Sequence, residues 1–313
     1  MVKGNLMKEG KPSVAVLMST YNGQRFLKEQ IDSVLAQQNV YLTLFIRDDG
    51  STDNTLQIIK LYGERITALC GKNIGVGNSF MSILKSAGQK FDYYAFCDQD
   101  DIWLPDKLYK GINNIYLYDG PVCYCSNQIL VDSKGDKIRK RYIEKIDTGY
   151  MQILSMNQVT GCTMVWNREL QRILIDELRF PSSEVLKKRI HDVWVAMVAS
   201  VTGKLVYDSN SYILYRQHEN NVVGVKKRSL FYEWKRKLNN PSLRNGRSSL
   251  AREIIEKYGD LISDSQIKER LKTYAYYQNG WENKRKLLLD NEIQKYSGES
   301  LLYLKGKVFL NLF

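Results

Sequence analysis

Three carboxylates lie within four positions, directly after an apolar and aromatic run. Asp98, Asp100 and Asp101 follow residues 93–97. Clustered carboxylates repel one another unless a cation or a shared proton relieves them. Mg²⁺ and Mn²⁺ take hard oxygen ligands, which they often share with the phosphates of a substrate. The run therefore points to a nucleotide substrate held through a divalent metal ion, and the alternative is a solvated acidic turn that caps the helix expected after Pro105.

Two other loops carry polar side chains after apolar runs. Thr20, Tyr21 and Asn22 follow the run at 14–18, and Asp49 follows the next one. The face of Tyr21 can stack on a base, a contact worth about 1–3 kcal/mol, and the carboxylate of Asp49 can accept a hydrogen bond from a base imide or a ribose hydroxyl. The alternatives are an ordinary Asn-Gly turn and a cap for the helix after Asp49.

The elements that must position these loops alternate along the first two thirds of the chain. Short apolar runs predict strands at 14–18, 42–46, 66–69, 93–97 and 122–125. Amphipathic spacing predicts helices at 24–36, 55–62 and 79–86. This alternation favours right-handed βαβ units and a largely parallel sheet. Since ligands of such sheets bind at the carboxyl ends of the strands, we expect the three polar loops to meet there.

Composition places the chain among soluble globular proteins. It has 313 residues, of which 43% are hydrophobic and 26% charged, and no apolar run approaches the roughly 18 residues of a membrane span. The first ten residues do not resemble a targeting segment, so we expect a cytoplasmic protein. The five cysteines include no CxxC pair and are odd in number, which argues against a disulfide framework or a zinc site.

Positive charge is concentrated in the last part of the chain. Residues 226–313 contain 19 Lys and Arg against 10 Asp and Glu, a net charge of +9 out of +12 for the whole chain. We therefore predict a catalytic domain at 1–225 and a basic helical region at 226–313, with helices at 229–238, 248–258, 265–289 and 301–313. Basic and aromatic residues together suit anionic lipid headgroups. The alternative is a helical face packed on the catalytic domain or on a second subunit in a homodimer, and no motif indicates nucleic-acid binding.

The combination of motifs resembles family 2 glycosyltransferases in order and spacing over residues 13–224. The matching segments read VAVLMSTYNG from Val14, IRDDGSTD from Ile46, NIG from Asn73 and CDQDDIWLPDK from Cys97. The resemblance implies a GT-A fold, which is a Rossmann-like, mostly parallel sheet flanked by helices, here with a basic helical appendage at the C-terminus. It also implies inverting transfer of a sugar from a nucleotide diphosphate with Mn²⁺ or Mg²⁺ as cofactor.

The resemblance gives roles to residues that bind the donor nucleotide. Tyr21 would stack on the base, with Thr20 and Asn22 beside it, and Asp49 would accept from the base N3–H. Asp98 would lie near the ribose, and Asp100 would hold the metal on the diphosphate. Asn73 would line the donor site near the sugar, and its alternative role is that of a polar turn residue.

The resemblance also places a general base downstream of the metal motif. In the family an Asp opens a helix at this point, and the match here is Asp192, with His191 where the family usually has Glu. Gly161 and Cys162 resemble the small-residue turn beneath the acceptor site, and Trp194 belongs to the same expected acceptor or sugar pocket. The alternatives are a helix cap for Asp192 and core positions for the others.

The segment around His218 narrows the resemblance to bacterial rhamnosyltransferases of cell-surface polysaccharide synthesis. There a histidine can contact the metal or the diphosphate, although an isolated histidine is more often structural. The implied donor is dTDP-β-L-rhamnose, and the implied acceptor is a lipid-linked or oligosaccharide hydroxyl at the inner face of the plasma membrane. One alternative is a UDP-glucose, UDP-galactose or UDP-N-acetylhexosamine donor. Another is a non-catalytic, membrane-peripheral scaffold that binds a glycan.

Overall fold

The computed structural model describes residues 10–219 and 244–313. A single sheet crosses the first of these segments in the order β3-β2-β1-β4-β8-β6-β9-β5, and β7 pairs with β6. Its strands are β1 (Ser13–Thr20), β2 (Tyr41–Asp48), β3 (Ile66–Cys70), β4 (Tyr93–Cys97), β5 (Ile102–Trp103), β6 (Val122–Val131), β7 (Lys137–Lys140), β8 (Val165–Asn167) and β9 (Lys204–Arg216). All five predicted strands are present, most of them longer than predicted.

The sheet is parallel around β1 and mixed elsewhere. β1 pairs in parallel with β2 and β4, β2 with β3, and β6 with β9. The pairs β4–β8, β6–β8, β6–β7 and β5–β9 are antiparallel. The expectation of a largely parallel sheet thus holds for the half that carries the polar loops. The other half is mixed because β6 and β7 form a hairpin and β8 enters as a short antiparallel strand.

Helices cover both faces of the sheet and continue beyond it. They are α1 (Leu27–Leu35), α2 (Thr55–Lys60), α3 (Val76–Ala87), α4 (Lys107–Ile115), α5 (Tyr150–Met156), α6 (Arg168–Leu174), α7 (Ser183–Lys188), α8 (His191–Thr202), α9 (Gly246–Tyr258), α10 (Ser265–Ala275), α11 (Trp281–Leu289), α12 (Asn291–Ser297) and α13 (Leu301–Phe309). Within residues 10–219 and 244–313, no helix combines the length and apolar composition needed to cross a bilayer.

Alternate residues of β1 enter two separate apolar layers. Val14, Val16 and Met18 belong to the layer that also contains α1 and α4, whereas Ala15 and Leu17 belong to the layer with α3 and α8. Successive side chains of a strand point to opposite faces, so a strand covered on both faces reads as a continuous apolar run. The sheet is thus buried on both sides, and its polar groups emerge at its ends.

The C-terminal helices pack on the layer that contains α8. Tyr258 of α9 lies edge-on to Trp194 of α8, with 5.9 Å between ring centroids. The buried Arg247 donates to the carbonyl of Ser155, at 2.9 Å from Nη2, and forms an ion pair with Glu299 at 3.2 Å. These contacts agree with the alternative in which the apolar side of the basic helices covers the catalytic domain. The division at residue 225 stays a prediction.

Two details of the C-terminal region differ from the sequence prediction. The helix expected at 265–289 is interrupted before Gly280, whose φ of 110° is a conformation that favours glycine, so α10 and α11 are separate. The short helix α12 was not predicted. The predicted helix at 229–238 lies outside the described residues.

Candidate active site

The three polar loops meet in one cleft of about 1200 Å³ at the carboxyl ends of β1, β2 and β4. The rest of the cleft is lined by residues 155–161, from the last two residues of α5 onward, and by residues 187–193, around the start of α8. The predicted site residues that line it are Tyr21, Asn22, Asp49, Asn73, Asp98, Asp100, Gly161, His191, Asp192 and His218. The carboxyl-end rule therefore correctly predicted that the three polar loops meet.

The loop after β1 is fixed by hydrogen bonds to its neighbours. The amide of Gln99 accepts from the backbone N–H of Tyr21 at 2.9 Å and donates to its carbonyl at 3.1 Å. Asn22 has a left-handed φ of 48°, and its side-chain oxygen accepts from the N–H of Thr52 at 2.8 Å. With its backbone held on both sides, Tyr21 presents a ring that is 48% exposed at the edge of the cleft.

Asp49 organises the cleft from within. Its carboxylate forms a buried ion pair with Arg47 and accepts from the N–H groups of Ile74 and Gly75, each at 3.0 Å. The side chain of Asn73 accepts from the same Gly75 N–H at 3.1 Å. Asp49 thus ties the end of β2 to the loop that starts α3, a structural role that the sequence prediction of base recognition did not include.

The acidic run forms the floor of the cleft. The pKa of Asp98 is raised to about 7, mainly by burial and further by the charges of Asp100 and Asp192. Burial and the other two carboxylates also raise the pKa of Asp101, which accepts from the backbone N–H of Arg216 at 3.1 Å. Burial is the main cause of both pKa shifts and repulsion between the carboxylates adds to it, so a bound cation would favour the charged forms.

Cys162 lies against this floor with its sulfur within 4.8 Å of carboxylate oxygens of Asp98 and Asp101. Burial raises the pKa of the Cys162 thiol well above its usual value. A neutral, soft sulfur is a poor ligand for Mg²⁺ or Mn²⁺. Cys162 therefore acts as a thiol packed beneath the carboxylates.

The end of β9 brings His218 to the acidic run. Nε2 of His218 lies 2.8 Å from Oδ2 of Asp100, and its ring packs 5.1 Å from that of Phe26. The buried Arg216 holds this segment, because it donates to the carbonyl of Asp100 at 3.0 Å and pairs with Glu29 at 2.6 Å. The structure thus brings together Asp100 and His218, the two predicted metal ligands, and their metal-binding role stays a prediction.

Asp192 lies in the first turn of α8, in the part of the cleft lining formed by residues 187–193. Burial raises its pKa to about 6, and the backbone N–H groups of Val193, at 2.6 Å, and of Gly161 donate to its carboxylate. A side chain at position 161 would place Cβ 2.9 Å from Nε2 of His191 and 3.3 Å from Cβ of Asp192. Gly161 is therefore needed for this close approach.

His191 is a packing residue at the edge of the cleft. It stacks on Phe80 with 3.8 Å between centroids, and burial lowers its pKa to about 3. Neither of its ring nitrogens has a hydrogen-bond partner in the described part of the chain. A neutral imidazole next to Asp192 leaves the carboxylate as the stronger base.

The structure corrects three predicted contacts. Trp194 is fully buried on α8 and does not line the cleft, so it supports the helix instead of touching a sugar. Thr20 is buried, and its hydroxyl donates to Asp48 at 3.0 Å. Cys162 is buried below the cleft floor. All three are side chains whose direction a single sequence does not fix.

Sequence reasoning missed several basic residues of the cleft. Arg141, from the polar excursion after β7, lies over the ring of Tyr215 at 5.4 Å, and its charge lowers the pKa values of Asp98 and Asp192. Lys187 and Arg189, just before α8, line the same wall as Asp192. Only their position shortly before Asp192 could have suggested the last two, and no motif marks Arg141.

The fold defined by this sheet and cleft is that of GT-A glycosyltransferases. The structure of S. aureus TarS in complex with UDP matches 96% of this chain and 87% of that chain, with a TM-score of 0.59 and 15% sequence identity. This likeness confirms the predicted GT-A fold.

The sequence comparisons identify the family. The model of glycosyl transferase family 2 matches residues 15–176, and the chain belongs to this family. It is 33% identical to the dTDP-rhamnosyl transferase RfbG of Shigella flexneri over 220 residues, which are 66% of this chain and 74% of that protein. It is also 25% identical to the UDP-Glc:alpha-D-GlcNAc-diphosphoundecaprenol beta-1,3-glucosyltransferase WfgD of Escherichia coli over 223 residues, 71% of this chain and 83% of that protein.

The buried ion pair between Arg47 and Asp49 makes a prediction about stability. We expect Asp49→Ala to lower the free energy of unfolding by about 3–5 kcal/mol, because it leaves a buried guanidinium unpaired. Urea unfolding measures this loss, with the exposed Asp119→Ala as the control. The double variant Arg47→Met with Asp49→Ala should recover part of the loss. An Asp49→Ala protein as stable as the parent would show that Asp49 has no structural role.

Proposed function

We propose that this protein is an inverting glycosyltransferase that moves a sugar from a nucleotide diphosphate to a hydroxyl group. The observation that carries the proposal is the meeting of two carboxylate sets in one cleft. Asp98 and Asp100 come from the end of β4, and Asp192 comes from the start of α8. One set suits the charged donor, and the other provides a base for the acceptor.

Asp192 is the general base in this proposal. It takes the proton of the acceptor hydroxyl while that oxygen bonds to the anomeric carbon, and the bond from this carbon to the diphosphate oxygen breaks on the opposite face. The configuration therefore inverts. The N–H groups of Val193 and Gly161 fix the carboxylate. A pKa of about 6 leaves it mostly deprotonated at neutral pH yet basic enough to accept a proton.

The side chains at the floor of the cleft are suitable ligands for a divalent metal ion. Carboxylate oxygens and an imidazole are ligands for Mg²⁺ or Mn²⁺. The 2.8 Å between Asp100 Oδ2 and His218 Nε2 is close to the spacing of about 3 Å between neighbouring ligands of an octahedral ion with bonds of about 2.1 Å. We propose Asp100 and His218 as ligands. Bound there, Mn²⁺ or Mg²⁺ supplies Lewis-acid stabilisation of the leaving diphosphate.

The donor nucleotide lies along the β1 and β2 loops in this proposal. Tyr21 stacks on the base, Asn22 and Asn73 line the donor site, and Asp98 lies near the ribose. Asp49 holds the loop before α3 in place. Its carboxylate oxygens can also accept a hydrogen bond from the base.

The donor that the relatives favour is dTDP-β-L-rhamnose. The name of the Shigella relative, which is the more similar of the two, specifies a dTDP-rhamnosyl donor. A UDP-hexose donor is the second candidate, since the E. coli relative is named for UDP-Glc and the TarS structure contains UDP. A lipid-linked glycan is the proposed acceptor, and the protein would meet it as a peripheral protein on the inner face of the plasma membrane.

A donor panel tests the proposed sugar. With Mn²⁺ and each nucleotide sugar in turn, we expect release of dTDP from dTDP-β-L-rhamnose to exceed nucleotide release from UDP-glucose, UDP-galactose and UDP-N-acetylglucosamine. Nucleotide release in solution is measured by a coupled assay, and the Asp100→Ala protein provides the background. Turnover of a UDP-hexose without turnover of dTDP-rhamnose would contradict the rhamnose proposal and leave glycosyl transfer standing.

The role of Asp192 makes a prediction about activity and pH. We expect Asp192→Asn to lower kcat for transfer by about 10²–10⁴, while the Kd for the nucleoside diphosphate changes less than twofold by calorimetry. In the parent protein, kcat/KM should be constant above pH 7 and fall about tenfold per pH unit below about 6, because protonation removes the base. Persistent transfer by the Asn variant would exclude this assignment. A parent protein that transfers no sugar would instead favour the non-catalytic scaffold.

The metal assignment makes a third prediction. For the parent protein, Mn²⁺ should tighten dTDP binding at least about tenfold over binding in EDTA, and Asp100→Ala should abolish the difference. His218→Ala should reduce it. Calorimetry with and without EDTA measures the effect, and Asp119→Ala serves as the control. Undiminished Mn²⁺ dependence in both variants would place the metal elsewhere.

A further inference from the structure

An apolar surface lies open on α11 and α13, two of the last three helices of the chain. Among the described residues, 17 large apolar side chains are exposed, and six of them lie within residues 281–310. These are Trp281 at 62%, Leu289 at 66%, Leu301 at 43%, Leu302 at 83%, Phe309 at 50% and Leu310 at 53% exposed. One third of the exposed apolar side chains is thus concentrated in about a tenth of the described chain, which marks an interaction surface.

Helical spacing places four of these apolar residues, together with two basic ones, on two adjoining stripes. Trp281, Arg285 and Leu289 recur every four residues on α11, and Leu302, Lys305 and Phe309 recur at three and four on α13. The rings of Trp281 and Phe309 lie 5.5 Å apart, so the two stripes join. We call these six residues the apolar–basic face.

Basic residues accompany the apolar ones. α11 and α13 together contain five Lys and Arg against one acidic residue, Glu282. Lys286 pairs with Glu282 at 3.0 Å in an exposed, weak ion pair, and Lys307 is buried against Glu299. The remaining positive charge next to the exposed rings comes from Lys284, Arg285 and Lys305.

We propose that the apolar–basic face docks the protein on a membrane that contains anionic phospholipids. Trp and Phe reach into the interfacial region of a bilayer while Lys and Arg attract anionic headgroups. A second copy of the chain is the less suitable occupant, because the cores of protein interfaces are depleted in Lys whereas Lys305 lies in the middle of the α13 stripe.

The position of the apolar–basic face relative to the cleft relates membrane contact to the proposed reaction. α12, between α11 and α13, packs on α5, and a side chain at Gly298 would place Cβ 3.5 Å from the sulfur of Met156. Ser155 and Met156 begin the wall of the cleft that continues to Gly161, next to Asp192. The helical layer that carries the face therefore borders the acceptor side of the site. In this respect the inference rests on the proposed function, since it explains how a lipid-linked acceptor reaches Asp192.

Vesicle sedimentation of the full chain tests the proposal. We expect the parent protein to sediment with phosphatidylglycerol vesicles, to bind phosphatidylcholine vesicles much more weakly, and to be released by high salt. Two variants probe the two components of the face: Trp281→Ser with Phe309→Ser, and Arg285→Glu with Lys305→Glu. Each should weaken binding to phosphatidylglycerol about tenfold or more.

A matched control removes exposed apolar residues elsewhere. Leu61 and Leu178 are 78% and 86% exposed on the catalytic domain, and Leu61→Ser with Leu178→Ser should leave vesicle binding unchanged. Thermal unfolding confirms that each variant is folded. Donor hydrolysis in solution should be unchanged in the face variants, because they do not alter the cleft.

The outcomes separate this inference from the proposed function. Unchanged vesicle binding in both face variants overturns the inference. A face variant that changes from dimer to monomer by light scattering but still binds vesicles also overturns it, because that result assigns the face to a second copy. Loss of vesicle binding with donor hydrolysis retained supports both proposals. Absence of any donor turnover, with vesicle binding as expected, rejects the proposed function and leaves the docking surface in place.

Discussion

Mutual repulsion of the carboxylates in one cleft is the constraint on which the rest of this site depends. Asp98, Asp100 and Asp101 come from one loop, and Asp192 is close enough to raise the pKa of Asp98. The protein offsets this charge only in part. Arg141 lowers the pKa values of Asp98 and Asp192, and the buried amino group of Lys107 interacts with Asp101. Charge that remains uncompensated within the protein is what a bound cation would neutralise, and this is why the proposed donor is a metal-bound nucleotide diphosphate.

The loops around these carboxylates hold one another in place. Gln99 fixes the backbone of Tyr21, Asn22 reaches the loop after β2, and Asp49 joins that strand to the start of α3. Hydrogen bonds of this kind position the side chains before any ligand arrives, which lowers the entropy that binding would otherwise cost. The same residues would therefore contribute to stability and, in the proposed function, to recognition of the nucleotide. Asp49 is the clearest case, since its carboxylate is engaged by Arg47 and two backbone N–H groups.

The C-terminal helices contribute to the site through packing. Arg247 of α9 donates to Ser155, at the start of the cleft wall, and Tyr258 packs on Trp194 of the helix that carries Asp192. Displacement of these helices would thus move the part of the cleft that residues 155–161 and 187–193 line. The membrane-docking face that we propose belongs to the same helical layer and would give the basic composition of this region a role beyond solubility.

The sequence predicted the meeting of the three polar loops better than the directions of individual side chains. Parallel strands bring their carboxyl ends to one edge, so the loops after β1, β2 and β4 could be placed together from the alternation of elements alone. The direction of a side chain inside the core has no such signal, and for this reason Thr20 and Trp194 were assigned contacts that their burial excludes. Arg141 was missed because a hairpin, whose packing depends on the whole sheet, brings it to the cleft. The break between α10 and α11 did have a signal in Gly280.

The roles of the acidic run and His218 can be tested directly in a crystal. Crystals soaked with Mn²⁺ and dTDP should show an anomalous peak within about 2.5 Å of an Asp100 carboxylate oxygen and of Nε2 of His218, with the diphosphate on the same ion and the Asp192 carboxylate facing the space beyond it. A nucleotide bound elsewhere, or an ion that Asp100 and His218 do not contact, would contradict this account of the site.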